Sequence, residues 1–298
     1  MRSLILFSFV LFLVSCAPRV SSQIRSQGSM DDIIGGNDVE KGSVLSQSIV
    51  GIYDAKAHFF CSGSLLPNNV VLTAAHCIDS APEDVYIIFD GDLMGSVKSK
   101  DPAFRDRVLR KATDTRVHPG WDEKANDHKN LNWNDLALIR FAGTIPEGYK
   151  PAVFLPNPDL VEKGTTVTVA GYGVSEVKTS KIDPSTYPNL DKAIQDGDVY
   201  CNQNKSHCLK VDMSGDGYLR ATDLQIAQVH KTEIALDERH GQSTCEGDSG
   251  GPVYLPVNGR LYLFALTSRG NELCTGEGIY TNVLAYMDWI EQTIPTLK

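Results

Sequence analysis

The sequence has no surplus of positive charge. Its 28 lysines and arginines are outnumbered by 37 aspartates and glutamates, for a formal charge of −9, and no stretch clusters basic residues. Nucleic-acid binding draws its affinity from basic surface that releases counterions from phosphate, so that partner is not expected. Long apolar runs are also missing. The longest, Leu4–Val14, falls well short of the roughly 20 residues that a helix needs to cross a hydrocarbon core. No segment repeats at a solenoid period. With 42% hydrophobic and 22% charged residues, the composition is not collagenous, coiled-coil or disordered. What is left is an acidic globular chain of 298 residues, long enough for two packed cores.

The short apolar run reads as an export signal. Arg2 supplies the basic flank, Leu4–Val14 the hydrophobic region, and small residues follow, so residues 1–15 are expected to be a signal peptide. Leu13-Val14-Ser15-Cys16 also resembles a bacterial lipobox, in which Cys16 becomes the lipidated first residue and the membrane is met only through that anchor. Ordinary cleavage after Ala17, giving a secreted or periplasmic protein, is the competing reading. It would put Pro18 directly after the cut, where the ring hampers processing. Residues 16–32 are rich in Ser, Gln and Arg with little to bury, and are expected to be a tether or pro-segment.

From Ile33 onward, short runs rich in β-branched residues recur between Gly, Pro, Asn and Asp. Examples are residues 69–73, 135–139, 166–169 and 262–266. This pattern predicts an all-β sandwich or barrel. Helical spacing is confined to the C-terminus, where Val283, Tyr286, Met287, Ile290 and Ile294 predict a helix over 283–294 with Asn282 as N-cap.

Three segments carry chemistry: Thr73-Ala74-Ala75-His76-Cys77, Asn134-Asp135-Leu136-Ala137-Leu138 and Gly247-Asp248-Ser249-Gly250-Gly251-Pro252. Acyl transfer by a serine needs a base to take its proton, a carboxylate to orient that base, and donors for the developing oxyanion. These segments offer one of each. Gly247 lets a backbone N–H turn toward a substrate oxygen, and Gly250 and Gly251 leave room behind a reactive hydroxyl.

In that order, His then Asp then Ser, the segments resemble the trypsin/chymotrypsin serine endopeptidases. Ile33-Ile34-Gly35-Gly36, Cys61-Ser62-Gly63-Ser64, Gly171-Tyr172-Gly173 and Ser268 ahead of Cys274 extend the likeness over essentially all of 33–298. The resemblance implies two packed six-stranded antiparallel β-barrels, about 33–150 and 151–282, with the active site between them and the C-terminal helix outside. It implies Ser249 as nucleophile, His76 as general base and then acid, Asp135 as orienting carboxylate, and the Gly247 and Ser249 amides as oxyanion hole. Ser268 matches the serine that supports the buried aspartate. A zymogen is also expected: cleavage before Ile33 by a separate protease, after which the new ammonium pairs with Asp248, or else a tethered form held partly active by some other contact. The residue before the cut is Asp32, where most relatives carry Lys or Arg, so self-activation is not expected. No cofactor is required, the substrates are polypeptides, and the chain is expected to act as a monomer.

Six cysteines follow Cys16, an even number suited to disulfides in an exported chain. The resemblance pairs Cys61 with Cys77 and Cys245 with Cys274. Cys201 and Cys208 lie in an insertion, about 183–216, without a family counterpart, and are read either as a bridge closing a surface loop or as a metal site with His207. Asp212, Ser214, Asp216 and Asp223 around Gly217 match ligand positions of an EF-hand calcium loop, yet residues 217–222 also read as the start of a strand. Asn204-Lys205-Ser206 is a glycosylation sequon. The resemblance also places the specificity pocket. Ser243 falls at its floor, where trypsin-like members carry Asp, and with Gly270 and Gly278 keeping the pocket open this favours an apolar side chain before the scissile bond. Glu277, if turned inward, would select Lys or Arg instead. Two rival functions use the same fold or triad, a catalytically silent binding protein and an esterase.

Overall fold

The computed structural model describes residues 33–122 and 132–298. The leader, Cys16 and the tether through Asp32 lie outside the described residues. After a two-residue strand, β1 (Asn37–Asp38), the first barrel is built from β2 (Ile49–Asp54), β3 (Phe59–Leu66), β4 (Val70–Thr73), β5 (Val85–Ile88), β6 (Leu109–Val117) and β7 (Ala137–Phe141). These close antiparallel in the order β2-β3-β4-β7-β6-β5. The cause is visible in β4 and β7, whose register pairs Val71 with Ile139 and Leu72 with Leu138, all fully buried. Each such aliphatic side chain contributes about 1.5–3 kcal/mol on leaving water.

The second half opens with β8 (Thr166–Gly171), then β9 (Glu176–Ile182), β10 (Val199–Cys201), β11 (Cys208–Ser214), β12 (Arg220–Val229), β13 (Glu233–Glu238), β14 (Pro252–Val257), β15 (Arg260–Arg269) and β16 (Gly276–Asn282). Strands β12-β13-β16-β15-β14-β8 pair in sequence and β12 returns to β8, closing a second six-stranded barrel around Val167, Val169, Ile234, Leu236, Val253 and Phe264. Two features differ from the sequence expectation. Asn37 and Asp38 pair with Ala221 and Arg220 of β12, so the start of the domain belongs to the second barrel. The insertion is not an open loop: β9, β10 and β11 form a separate three-stranded sheet with a short helix, Leu190–Gln195.

At the C-terminus the helical stretch is split into a 3₁₀ turn, Val283–Tyr286, an α-helix, Met287–Thr293, and a final 3₁₀ turn, Ile294–Thr296. Asn282 makes no capping bond; its amide donates to the Lys231 carbonyl instead. Val283, Tyr286, Ile290 and Leu297 join the core cluster of the first barrel, so the helix ties the end of the chain back to the half from which it is remote in sequence.

Candidate active site

His76 sits in a 3₁₀ turn, Ala75–Cys77, immediately after β4. Its Nδ1 lies 2.8 Å from Asp135 Oδ2, and its backbone N–H donates to Asp135 Oδ1 at 3.1 Å. Asp135 is 1% exposed and precedes β7; Asn134, at φ 51°, makes the turn that presents it. Ser268 Oγ donates to the same Oδ2 at 2.6 Å, and Thr281 Oγ1 donates to the Asp135 carbonyl. Burial pushes the Asp135 carboxyl up, but the His76 charge and the hydrogen bonds from His76 and Ser268 more than reverse this and hold it below the ordinary range. An ionised carboxylate only accepts, so the proton between them sits on His76 Nδ1.

Ser249 is held from both barrels. Its carbonyl accepts from Ser62 N–H on β3 at 2.9 Å and lies 3.6 Å from Cys77 Sγ, next to His76. On the other side Gly250 N–H donates to Thr267, and Thr267 N–H to Gly251. Gly250 lies at φ +77°, and a Cβ there would sit 2.0 Å from Thr73 Oγ1, so only glycine fits. Gly247, at φ +93°, accepts at its carbonyl from Ser62 Oγ. The N–H groups of Gly247 and Ser249 find no acceptor among the described residues. A histidine oriented by a buried carboxylate, a serine whose carbonyl is held against Cys77, the residue after that histidine, and two amides without an acceptor among the described residues are parts that acyl transfer requires.

Asp248 is fully buried. Its oxygens accept from Gly173 N–H at 2.8 Å and Cys245 N–H at 2.9 Å. Desolvation raises its pKa to about 7 against those two bonds, and the nearby Glu238 charge adds to the rise. Ile33 is fully buried as well, and the Ile34 carbonyl accepts from Ser243 N–H.

The three disulfides are Cys61–Cys77, Cys201–Cys208 and Cys245–Cys274. Cys201 and Cys208 face each other across β10 and β11, so their sulfurs are bonded to each other and do not form a thiolate metal site with His207. The EF-hand geometry does not form. Asp212 and Ser214 are extended in β11, whereas Asp223 is on β12 and accepts from Thr168 Oγ1. A curled twelve-residue loop cannot also be two paired strands, and among the described residues these carboxylates do not converge on one point.

Around the residues expected to form the specificity pocket, the acidic side chain that is buried is not the expected one. Ser243 is buried, but its hydroxyl donates to the Cys274 carbonyl at 2.5 Å. Glu277 is exposed, opposite Asp237 in the β13–β16 register, because strand alternation sends Gly278 inward and Glu277 outward. The buried carboxylate is Glu238, which the sequence reading missed. Its signal was parity with Ile234 and Leu236 on the inward face of β13. Also missed was Glu233, 2% exposed, which grips Arg269 through Nη1 and Nη2 at 3.0 and 2.9 Å and holds the guanidinium 4.1 Å from the centre of the Trp133 ring.

A family model described as Trypsin matches residues 33–290. Kallikrein 1-related peptidase b8 of Mus musculus is 28% identical over 305 aligned residues, covering 99% of this chain and 98% of that protein. Chymotrypsin-like elastase family member 1 of Macaca fascicularis is 25% identical over 272, covering 88% and 89%. CLIP domain-containing serine protease B4 of Anopheles gambiae is 28% identical over 251, covering 79% of this chain and 62% of that protein. The chain therefore spans less than two thirds of that insect relative. These relatives are animal proteins, and a bacterial source gains nothing from them.

Proposed function

The chain belongs to the trypsin family, and from that premise we propose that it is a serine endopeptidase working through an acyl-enzyme. The observation that carries this reading is the shared grip on Asp135: His76 Nδ1 and Ser268 Oγ both meet Oδ2, which fixes the orientation of the imidazole. Ser249 Oγ attacks the scissile carbonyl while Nε2 takes its proton. The resulting oxyanion turns to the Gly247 and Ser249 amides. Collapse expels the amine, protonated by His76, and leaves an ester on Ser249 that water cleaves by the same steps in reverse roles. Ser249→Ala is the test. The variant should fold and lose peptide hydrolysis by at least about 10³-fold; hydrolysis at the wild-type rate would overturn the reading.

We further propose that the chain is exported and made as a zymogen. Three disulfides suit an oxidising compartment, and residues 1–15 have the composition of a leader. Asp248 is a buried carboxylate whose two hydrogen bonds come from backbone N–H groups, and burial raises its pKa despite those bonds and the Arg220 charge, so a further positive charge would stabilise its ionised form. An ammonium released at Ile33 would supply it. Ile33, a β-branched residue, is held at φ 35°, a conformation such side chains rarely adopt. N-terminal sequencing of active protein tests this: Ile33 should be the first residue, and full activity with residues 28–32 attached would contradict it.

A further inference from the structure

Glu238 closes β13 and is 2% exposed. Its Oε1 accepts three hydrogen bonds, from Thr244 N–H at 3.0 Å, Thr244 Oγ1 at 2.8 Å and Tyr280 Oη at 2.7 Å. No donor among the described residues reaches Oε2. The carboxylate lies against Gly278 and Gly270, the two glycines expected to border the specificity pocket. A Cβ placed on Gly278 would fall 2.6 Å from Oε1 and 2.7 Å from Oε2, so the whole carboxylate abuts that glycine, and one placed on Gly270 would meet nothing nearer than Oε2 at 4.0 Å. The missing side chains of Gly270 and Gly278 thus leave the Glu238 carboxylate uncovered on the side where Oε2 has no donor.

That uncovered side adjoins the Ser249 loop. Thr244, which anchors Oε1, is the neighbour of Cys245, and Cys245–Cys274 clamps that loop to the segment leading into Gly278. Gly270 follows Ser268, the residue bonded to Asp135. A side chain entering between Gly270 and Gly278 therefore meets Glu238 while its backbone lies along the segment that leads to Asp135 and His76.

We propose that Glu238 is the specificity-determining residue of this site and that its free Oε2 selects a cationic side chain, Arg or Lys, before the scissile bond. The proposal rests on the endopeptidase reading and names its substrate class. It replaces the apolar preference inferred from a neutral Ser243, whose hydroxyl is already committed to Cys274. Glu277 has no part in it. Oε1 is immobilised by its three donors, so the carboxylate is oriented before any ligand arrives, and a guanidinium or ammonium supplies the donors that Oε2 lacks. Burial also holds the Glu238 carboxyl above its ordinary range despite the bonds to Oε1, the mark of an anion short of a counter-charge.

The test compares wild-type turnover of peptides that carry Arg or citrulline, and Lys or norleucine, before the scissile bond, with rates normalised by titrating the reactive serine. Charge is the main difference within each pair. Arg should exceed citrulline in kcat/KM by about 10²-fold or more, as for a buried charge pair made in the complex. Glu238→Gln keeps the acceptor for Thr244 and Tyr280 and should bring that ratio to within a few-fold of one. Benzamidine, a small amidinium, should bind wild type measurably by calorimetry and the Gln variant at least about ten-fold more weakly. Equal turnover of Arg and citrulline by wild type, or an unchanged ratio in the variant, would overturn the proposal. If the variant does not fold, the wild-type pair decides alone. A wild type without a titratable serine would overturn the endopeptidase reading, and benzamidine binding, which needs no turnover, would still decide the role of Glu238.

Discussion

Ser268 donates its hydroxyl to Asp135 Oδ2 at 2.6 Å, the oxygen that also holds His76 Nδ1. One buried oxygen therefore fixes a residue from each barrel, and the imidazole orientation depends on a side chain that never touches substrate. A hydrogen bond to a charged group contributes about 1.5–3 kcal/mol. Ser268→Ala should lower stability by about that much and reduce kcat/KM by roughly 3- to 30-fold. Removing a donor to the ionised form raises the Asp135 pKa, so the stability that this carboxylate confers should be lost at higher pH on acidification than in wild type. Melting curves and pH–rate profiles of the two proteins check both effects. A variant that matches wild type in each would show that Ser268 is a bystander.

Gly250 and Gly42 share a positive φ but not a neighbourhood. A Cβ on Gly250 would collide with Thr73 Oγ1 at 2.0 Å and the Ser62 carbonyl at 2.5 Å, whereas nothing lies within 4 Å of one on Gly42. Gly250→Ala should cost more than about 4 kcal/mol or prevent folding, and Gly42→Ala only about 1 kcal/mol from backbone strain. Denaturant titration of the two variants measures the gap, and equal losses would mean that the Ser249 loop is not pinned between the barrels.

The Asp248 carboxyl predicts how uncleaved and cleaved chains diverge with pH. In the uncleaved chain its pKa is about 7 against an ordinary 3.8. Between those values the folded state binds the proton that the unfolded state releases, so stability falls as the pH rises through that window. An Ile33 ammonium would reverse the sign by favouring the ionised carboxylate. The cleaved form should therefore gain on the uncleaved form by about 5 °C or more in Tm between pH 4 and 7. The comparison is made in a Ser249→Ala background with an engineered cut before Ile33. A constant difference across that range would rule out the pairing.

Much of this was legible in the sequence, for identifiable reasons. Residues such as Val71, Leu72, Leu138 and Ile139 build a core whichever way the strands turn, and the His76, Asp135 and Ser249 segments are specific enough to imply a fold by resemblance. What failed depended on parity and register. Glu277 and Glu238 lie on paired strands, and one step of alternation exposes the first and buries the second. Parity with Ile234 and Leu236 gives the face of Glu238 once residues 233–238 are known to be a strand, but that this face meets Gly278 while Glu277 points away follows only from the pairing of β13 with β16. The calcium motif around Gly215–Gly217 failed for a related reason: its aspartates recur at loop spacing, but long-range pairing of β11 with β9 and of β12 with β8 draws them into strands. The Glu233–Arg269 pair joins residues 36 apart in sequence, beyond the reach of any pattern.

The central claim is that Ser249 is an activated nucleophile, and the most direct measurement is its reaction with a peptidyl phosphonate, located by peptide mass mapping. One adduct per chain should form on Ser249, none in Ser249→Ala, and in His76→Ala the rate should fall by at least about 10³-fold. Peptide hydrolysis by a chain that forms no adduct, or an adduct on another residue at the wild-type rate, would contradict the account.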